Sequence, residues 1–161
     1  MGLTDVSNIL WRERQLLEVL LFKLEEEQLL LANKKTRWLA MAAAEIEDVL
    51  EGVRMAELSR SVEVDSLAVE LGLVAGSSLR ELAAVAPPPW GHILEDHRQA
   101  FVTVTQEIAA LAEANRELIT RGQRDVQEAL AWLGEERDDT YSAAGTSSAS
   151  HGGARIIDRS L

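Results

Sequence analysis

The sequence predicts an all-α fold: an elongated antiparallel three-helix bundle, coiled-coil in character, with a short connector helix and a disordered C-terminal tail. Three observations lead there. Apolar residues make up 47% of the chain and aromatic residues only 4%, and the apolar set is mostly Leu, Ala, Val and Ile, which suits helix-on-helix packing better than sheets. Apolar residues recur at three- and four-residue spacing through three long stretches, the period of one helix face. Everything after Arg137 is rich in Ser, Gly, Thr and Ala, too poor in large apolar groups to offset the entropy of ordering. At 161 residues the chain supports one domain with a modest core, assigned to 1–136, and a flexible tail over 137–161.

The first helix is predicted from Ser7 to about Asn33. Leu10, Leu17, Leu20, Leu21, Leu24 and Leu31 form a wide apolar stripe, with Glu13, Glu18 and Glu25 to Glu27 between them. The polar "ANKKT" that follows fits a turn near Asn33, or a single bent helix running through it. A second helix is expected from about Lys35 to Leu71, with Ala42, Ile46, Val49, Val53 and Ala56 on one face and Gly72 where a C-terminal cap wants it. Ser78 is placed to cap a short helix, "LRELAAVA", which Pro87 to Pro89 stop. The longest periodic stretch, Trp90 to Glu136, keeps Ile93, His97, Phe101, Val104, Ile108, Leu111, Asn115 and Leu118 on one seam. The seam then steps sideways to Ile119, Gly122, Val126, Ala129, Leu130 and Leu133.

Charge and composition narrow the function. A net charge of −11 repels phosphate backbones and anionic headgroups, so neither nucleic acid nor a membrane surface is the expected partner, and other proteins are. The absence of cysteine removes thiol catalysis and thiolate metal sites and suits a reducing compartment. The N-terminus lacks the pattern of a signal peptide, and charges interrupt every apolar run before the roughly 20 residues that span a bilayer. A soluble cytoplasmic protein is the expectation.

Catalytic patterns are weak. No histidine has a glutamate three residues before it, as a di-iron bundle needs, and no phosphate loop, serine elbow or zinc spacing occurs. His92 and Glu95 in "HILE" fit a surface pair at a helix start better than a metal site, and His97 on the seam fits a satisfied core histidine better than a ligand. No enzyme, cofactor or metal is expected. Asn115 is read as a polar residue setting bundle register, Gly122 as a kink or a close approach of another backbone, and Trp38 and Trp90 as core seals. Trp132 stands between helix staple and binding hot spot.

Helix lengths supply a positive inference. At about 1.5 Å per residue the three long patterns span roughly 40, 55 and 70 Å, so they cannot all cover one another. The far end of the last helix, near Val126, Leu130, Trp132 and Leu133, should extend past its companions with its apolar stripe bare, which marks an interaction surface.

The order of these segments resembles the FlgN family of flagellar export chaperones, in an alanine- and glutamate-rich, actinobacterial-looking form. The resemblance rests on "LWRERQLLEVLLFKLEEEQLLLA", "AAAEIEDVLEGVRMAELSR", "EANRELITRGQRDVQEALAWL" and the tail "TYSAAG" ending in "RIIDRSL". It implies a chaperone that binds the C-terminal segments of hook-filament junction proteins of the FlgK and FlgL type and docks on the export gate protein FlhA. It further implies that the end of the last helix contacts cargo, here Leu118, Ile119, Val126, Leu130, Trp132 and Leu133, and that Tyr141, the only tyrosine, docks on the gate. The competing readings are a self-associating structural coiled coil, an exported helical hairpin of the WXG type, and a chaperone of another secretion system.

Overall fold

The computed structural model describes the backbone of residues 2–142 and the side chains of residues 2–137. The expected tail from 143 onward, with Ile156 and Ile157, lies outside the described residues. Among them four α-helices follow in order: α1 (Leu3–Ala32), α2 (Leu39–Glu70), α3 (Leu79–Val85) and α4 (Trp90–Ser142), with a 3-10 turn at Thr36–Trp38 before α2. No strand occurs among the described residues, and the fold is an all-α bundle as expected. The chain divides into two compact units, Met1–Arg121 and Gly122–Leu161.

Local chemistry explains where the helices of the first unit begin and end. α1 starts four residues ahead of Ser7 because the Asp5 carboxylate reaches back to accept the Gly2 N–H at 2.9 Å, which satisfies one of the donors a helix start leaves free. It ends in a turn, so a single bent helix is ruled out. Lys34 takes a left-handed φ of 55°, and the amides of Lys35 and Lys34 donate back to the carbonyls of Leu30 and Leu31, the bonding of a Schellman cap. The same cap closes α2, with Gly72 at φ 80° and the Leu73 N–H on the Ala68 carbonyl at 2.8 Å. The connector is pinned to α2 where Gly76 N–H donates to Asp65 Oδ1 at 2.7 Å. Ser78 caps α3 as expected: its Oγ accepts the Glu81 N–H, and the Glu81 carboxylate accepts from the Ser78 amide and hydroxyl.

Pairings across the bundle fix its topology. Glu13 meets Arg60 and Lys23 meets Glu45, so α1 and α2 run antiparallel. Ser7 meets His97 and the Leu24 carbonyl meets Asn115, so α1 and the first part of α4 run parallel. The core forms two apolar clusters. Near the start of α1, Val6 and Leu10 pack with Val64, Leu67 and Ala68 of α2, Leu82 of α3 and Leu94 of α4. Farther along, Leu20 and Leu24 pack with Ile46, and Ile108, Leu111 and Ala112 of α4 lie against them. Each such fully buried Leu or Ile contributes about 1.5–3 kcal/mol relative to exposure. The expected seam of α4 from Ile93 to Leu118 faces inward, with His97 and Asn115 buried.

Two expectations are corrected. Glu13, placed among the polar residues between the leucines, is 2% exposed. Its position explains why: Leu10, Glu13, Leu17, Leu20 and Leu24 alternate threes and fours, so Glu13 occupies a core position of that ladder. Trp38, expected to seal the core, is 43% exposed with the Arg37 guanidinium 4.4 Å over its ring. It belongs to the 3-10 turn, whose tighter winding breaks the face carried by α2. Trp90 is half-buried, as a core seal would be.

Candidate partner-binding surface

Two places on the described surface could hold another molecule. The first lies in the first unit, between the starts of α1 and α4, as a hollow of about 440 Å³ lined by Trp11, Trp90, Arg14, Asn8, Asp96 and His97, among others. The Arg14 guanidinium sits 4.3 Å over the Trp11 ring, and the His97 ring meets Trp11 edge-on at 5.2 Å. Below, His97 Nε2 lies 3.2 Å from Ser7 Oγ and Nδ1 lies 3.4 Å from Arg14 Nη1.

A serine against a histidine suggests a nucleophile and its base, but the polarity is wrong. A guanidinium only donates, so Nδ1 accepts, the ring proton sits on Nε2, and the ring donates to the serine. Burial first, and then the Arg14 charge, hold the His97 pKa below the ordinary imidazole value, which keeps the ring neutral in its buried place. His97 is therefore a satisfied core histidine. Asn115 is its counterpart at the other end of the bundle, donating from Nδ2 to the Leu24 carbonyl at 2.9 Å and to Glu27 Oε1 at 3.0 Å. Sequence periodicity placed both on the seam, while the meeting of Ser7, Trp11, Arg14 and His97 depends on the register of α1 against α4, which no local spacing encodes. Among the described residues no group of three or more His, Asp or Glu could hold a metal ion.

The second place is the end of α4, where the sequence put its binding residues. Leu118 is half-buried, the last described residue that is not exposed. Ile119 is 40% exposed and also belongs to the first unit. In the second unit Val126, Leu130 and Leu133 are 59%, 63% and 56% exposed. At about 100° per residue these three fall within roughly 60° of helix surface, one continuous stripe. Trp132 is exposed too, yet it lies about 120° round the helix from Val126 and does not share that stripe. Gly122 lies within α4, and nothing among the described residues comes within 4 Å of an added Cβ. A hollow of about 270 Å³ is lined, among the described residues, by Leu130, Leu133, Gly134 and Arg137.

The helical backbone continues through Asp138 to Ser142, five residues into the expected tail. No Gly or Pro interrupts Glu135 to Ser142, and each added residue propagates an existing helix at little cost. Tyr141 thus lies within α4, and its side chain lies outside the described residues.

The chain matches the family described as FlgN protein over residues 1–149. It belongs to the FlgN family. Its general role follows from that membership: it is a flagellar export chaperone, a protein that binds flagellar export substrates. No curated protein and no solved structure matches this FlgN chain. No helix among the described residues is long and apolar enough to cross a membrane.

Proposed function

We propose that this chain is a cytoplasmic chaperone that holds the C-terminal helices of hook-filament junction proteins of the FlgK and FlgL type and delivers them to the export gate protein FlhA. The observation that carries the reading is the stripe of Val126, Leu130 and Leu133, each more than half exposed, at the end of a helix in a FlgN-family chain. Three large aliphatic side chains aligned on one helix, with polar residues around them, are what a partner helix needs to bury its own apolar face. Cargo helices covered in this way cannot associate with one another before export.

Tyr141 then acts as the gate-docking residue, close enough in sequence to couple cargo loading to docking. Trp132, on another face of the helix, is not a cargo contact in this reading. The domain that carries the bundle, 1–136, and the tail, 137–161, divide the work between holding cargo and handing it over.

The experiment is titration of a labelled C-terminal peptide of a FlgK-type protein with the full chain and its variants. Leu130→Asp puts a charge into the stripe and should reduce affinity by 100-fold or more, since an unpaired charge in an apolar contact costs on the order of 3 kcal/mol or more. Trp132→Ala and Tyr141→Ala should bind the peptide as the parent chain does, with Tyr141→Ala losing retention on the cytoplasmic domain of FlhA. Unchanged binding by Leu130→Asp would remove the stripe as the cargo site. A concentration-dependent dimer of the free chain that Leu130→Asp dissolves would favour self-association instead.

A further inference from the structure

Within the first unit α2 carries an exposed apolar stripe of its own. Met55, Leu58, Val62 and Val69 are each more than half exposed. At about 100° and 1.5 Å per residue the four fall within roughly 60° of helix surface, over a length of about 21 Å. Ile46, Val53, Val64 and Leu67 are buried and lie about 150–170° round the helix from the middle of that stripe. The four exposed side chains therefore stand on the side of α2 that faces away from the core, where they add nothing to it. Charge says what can cover them. Asp48 and Glu51 continue the line of the stripe about two turns and one turn before Met55, and Asp65 and Glu70 border its other half. On that side of α2 the one cation is Arg54, already 3.2 Å from Glu51, whereas Arg60 turns to Glu13 on the core side. The stripe is thus apolar within an acidic border, in a chain whose net charge is −11.

We propose that the outer face of α2 docks an amphipathic helix of another protein, one whose apolar stripe is flanked by Lys and Arg. A second copy of this chain fits the apolar part but not the border. Joined in parallel along the stripe, two copies would set Asp48 and Glu51 against the same residues, and joined antiparallel they would set them against Asp65 and Glu70. Like charges across a helix pair disfavour both arrangements, and flanking charges of opposite sign are what select one helix partner over another. Anionic lipid and nucleic acid are repelled by the same border. The contact uses none of the residues on which the cargo reading rests, so either can hold without the other.

The test uses the full chain and two labelled amphipathic peptides of about 20 residues, long enough to be helical when bound. They share one Leu stripe, flanked by Lys in one peptide and by Glu in the other. Fluorescence anisotropy at low salt should show the Lys-flanked peptide binding about tenfold tighter, the size expected of a few exposed ion pairs. The difference should shrink as added salt screens them. Leu58→Asp, at an exposed position that leaves the core intact, should weaken the Lys-flanked peptide by tenfold or more, while Leu130→Asp should leave it unchanged. Asp48→Lys combined with Glu51→Lys should remove most of the preference for Lys flanks. Equal binding of the two peptides, or a preference that the double substitution does not alter, would overturn the basic partner. A Lys-flanked peptide that Leu58→Asp still binds in full or that Leu130→Asp releases, no binding of either peptide, or a homodimer of the free chain that Leu58→Asp dissolves would overturn the site. The FlgK-type peptide should bind Leu58→Asp as it binds the parent chain, so its loss on Leu130→Asp reports on the α4 stripe alone.

Discussion

Glu13 is the residue whose environment and chemistry disagree most. It occupies a core position of α1, 2% exposed, with Arg60 Nε of α2 at 2.7 Å from Oε2, though neither atom has a hydrogen bond of good geometry. Burial pushes its pKa above the ordinary carboxylate value, and the Arg60 charge offsets this only in part. Since the folded chain holds that proton more tightly than the unfolded one, the contribution of Glu13 to stability falls as pH rises from about 4.5 through its raised pKa. Arg60 keeps that loss tolerable at neutral pH, with its guanidinium also 5.8 Å from the Phe101 ring. Arg60→Ala should therefore cost about 1–3 kcal/mol at pH 7, less than a fully buried pair because Arg60 is partly in water. The cost should shrink as pH falls toward 4.5, since the raised pKa favours the neutral carboxyl. Glu13→Leu should be neutral or stabilising at pH 7. Urea unfolding of the three proteins at both pH values reads this directly, and a destabilised Glu13→Leu would mean that the pair is a net stabiliser. The ladder spacing around Glu13 was visible in the sequence, but its partner was not, because Arg60 lies 47 positions on and only the antiparallel register of α1 and α2 brings it near.

Among the elements, three glycines of α4 that look alike in sequence behave in two opposite ways. Gly91, in the first turn of α4, has the Ala83 carbonyl oxygen of α3 at 2.6 Å from where a Cβ would be. Backbone lies in that path, so α3 and α4 can meet this closely only over a glycine. Gly122 and Gly134 meet nothing. Gly91→Ala should lower the melting temperature by forcing α3 away from α4 and parting Leu82 from Leu94, both fully buried. Gly122→Ala should raise helix stability by up to about 1 kcal/mol through propensity alone. Circular-dichroism melts separate the two, and a neutral Gly91→Ala would show that α3 can move without loss. Such contrasts mark the limit of what was legible. Element type, the Ser78 cap, the Gly72 cap and the inward seam from Ile93 to Leu118 all follow from spacing within one helix, which sequence displays. The Lys34 turn, the exposed Trp38 and the closeness of Gly91 to α3 depend on backbone conformation or on a second element, which it does not. The stripe of Val126, Leu130 and Leu133 was legible for the same reason as the seam, and Trp132, expected on or beside it, lies about 120° of helix from Val126.

On the scale of the whole molecule, the buried residues and the proposed binding stripe occupy different parts of the chain. Every described residue that is buried or half-buried lies at or before Leu118, and residues 119–137 are all exposed. Both apolar clusters end by Ala112, and the last polar tie between α4 and α1, from Asn115 to the Leu24 carbonyl and Glu27, falls three residues earlier than Leu118. The first compact unit closes at Arg121. Folding free energy comes from surface removed from water, and the described residues after Arg121 remove none by the measure that distinguishes a core. A chain shortened to residues 1–121 should therefore unfold cooperatively within a few degrees of the full chain, because the described residues it lacks are all exposed and contribute little apolar burial. It should lose the FlgK-type peptide altogether. Leu10→Ala in the full chain should do the reverse, costing about 2–5 kcal/mol in the core while the peptide still binds at temperatures where the protein stays folded. Calorimetry and peptide titration on the same preparations decide the matter: a 1–121 chain that melts far below the parent would show that the end of α4 stabilises the bundle, and one that still binds the peptide would put cargo on the bundle itself.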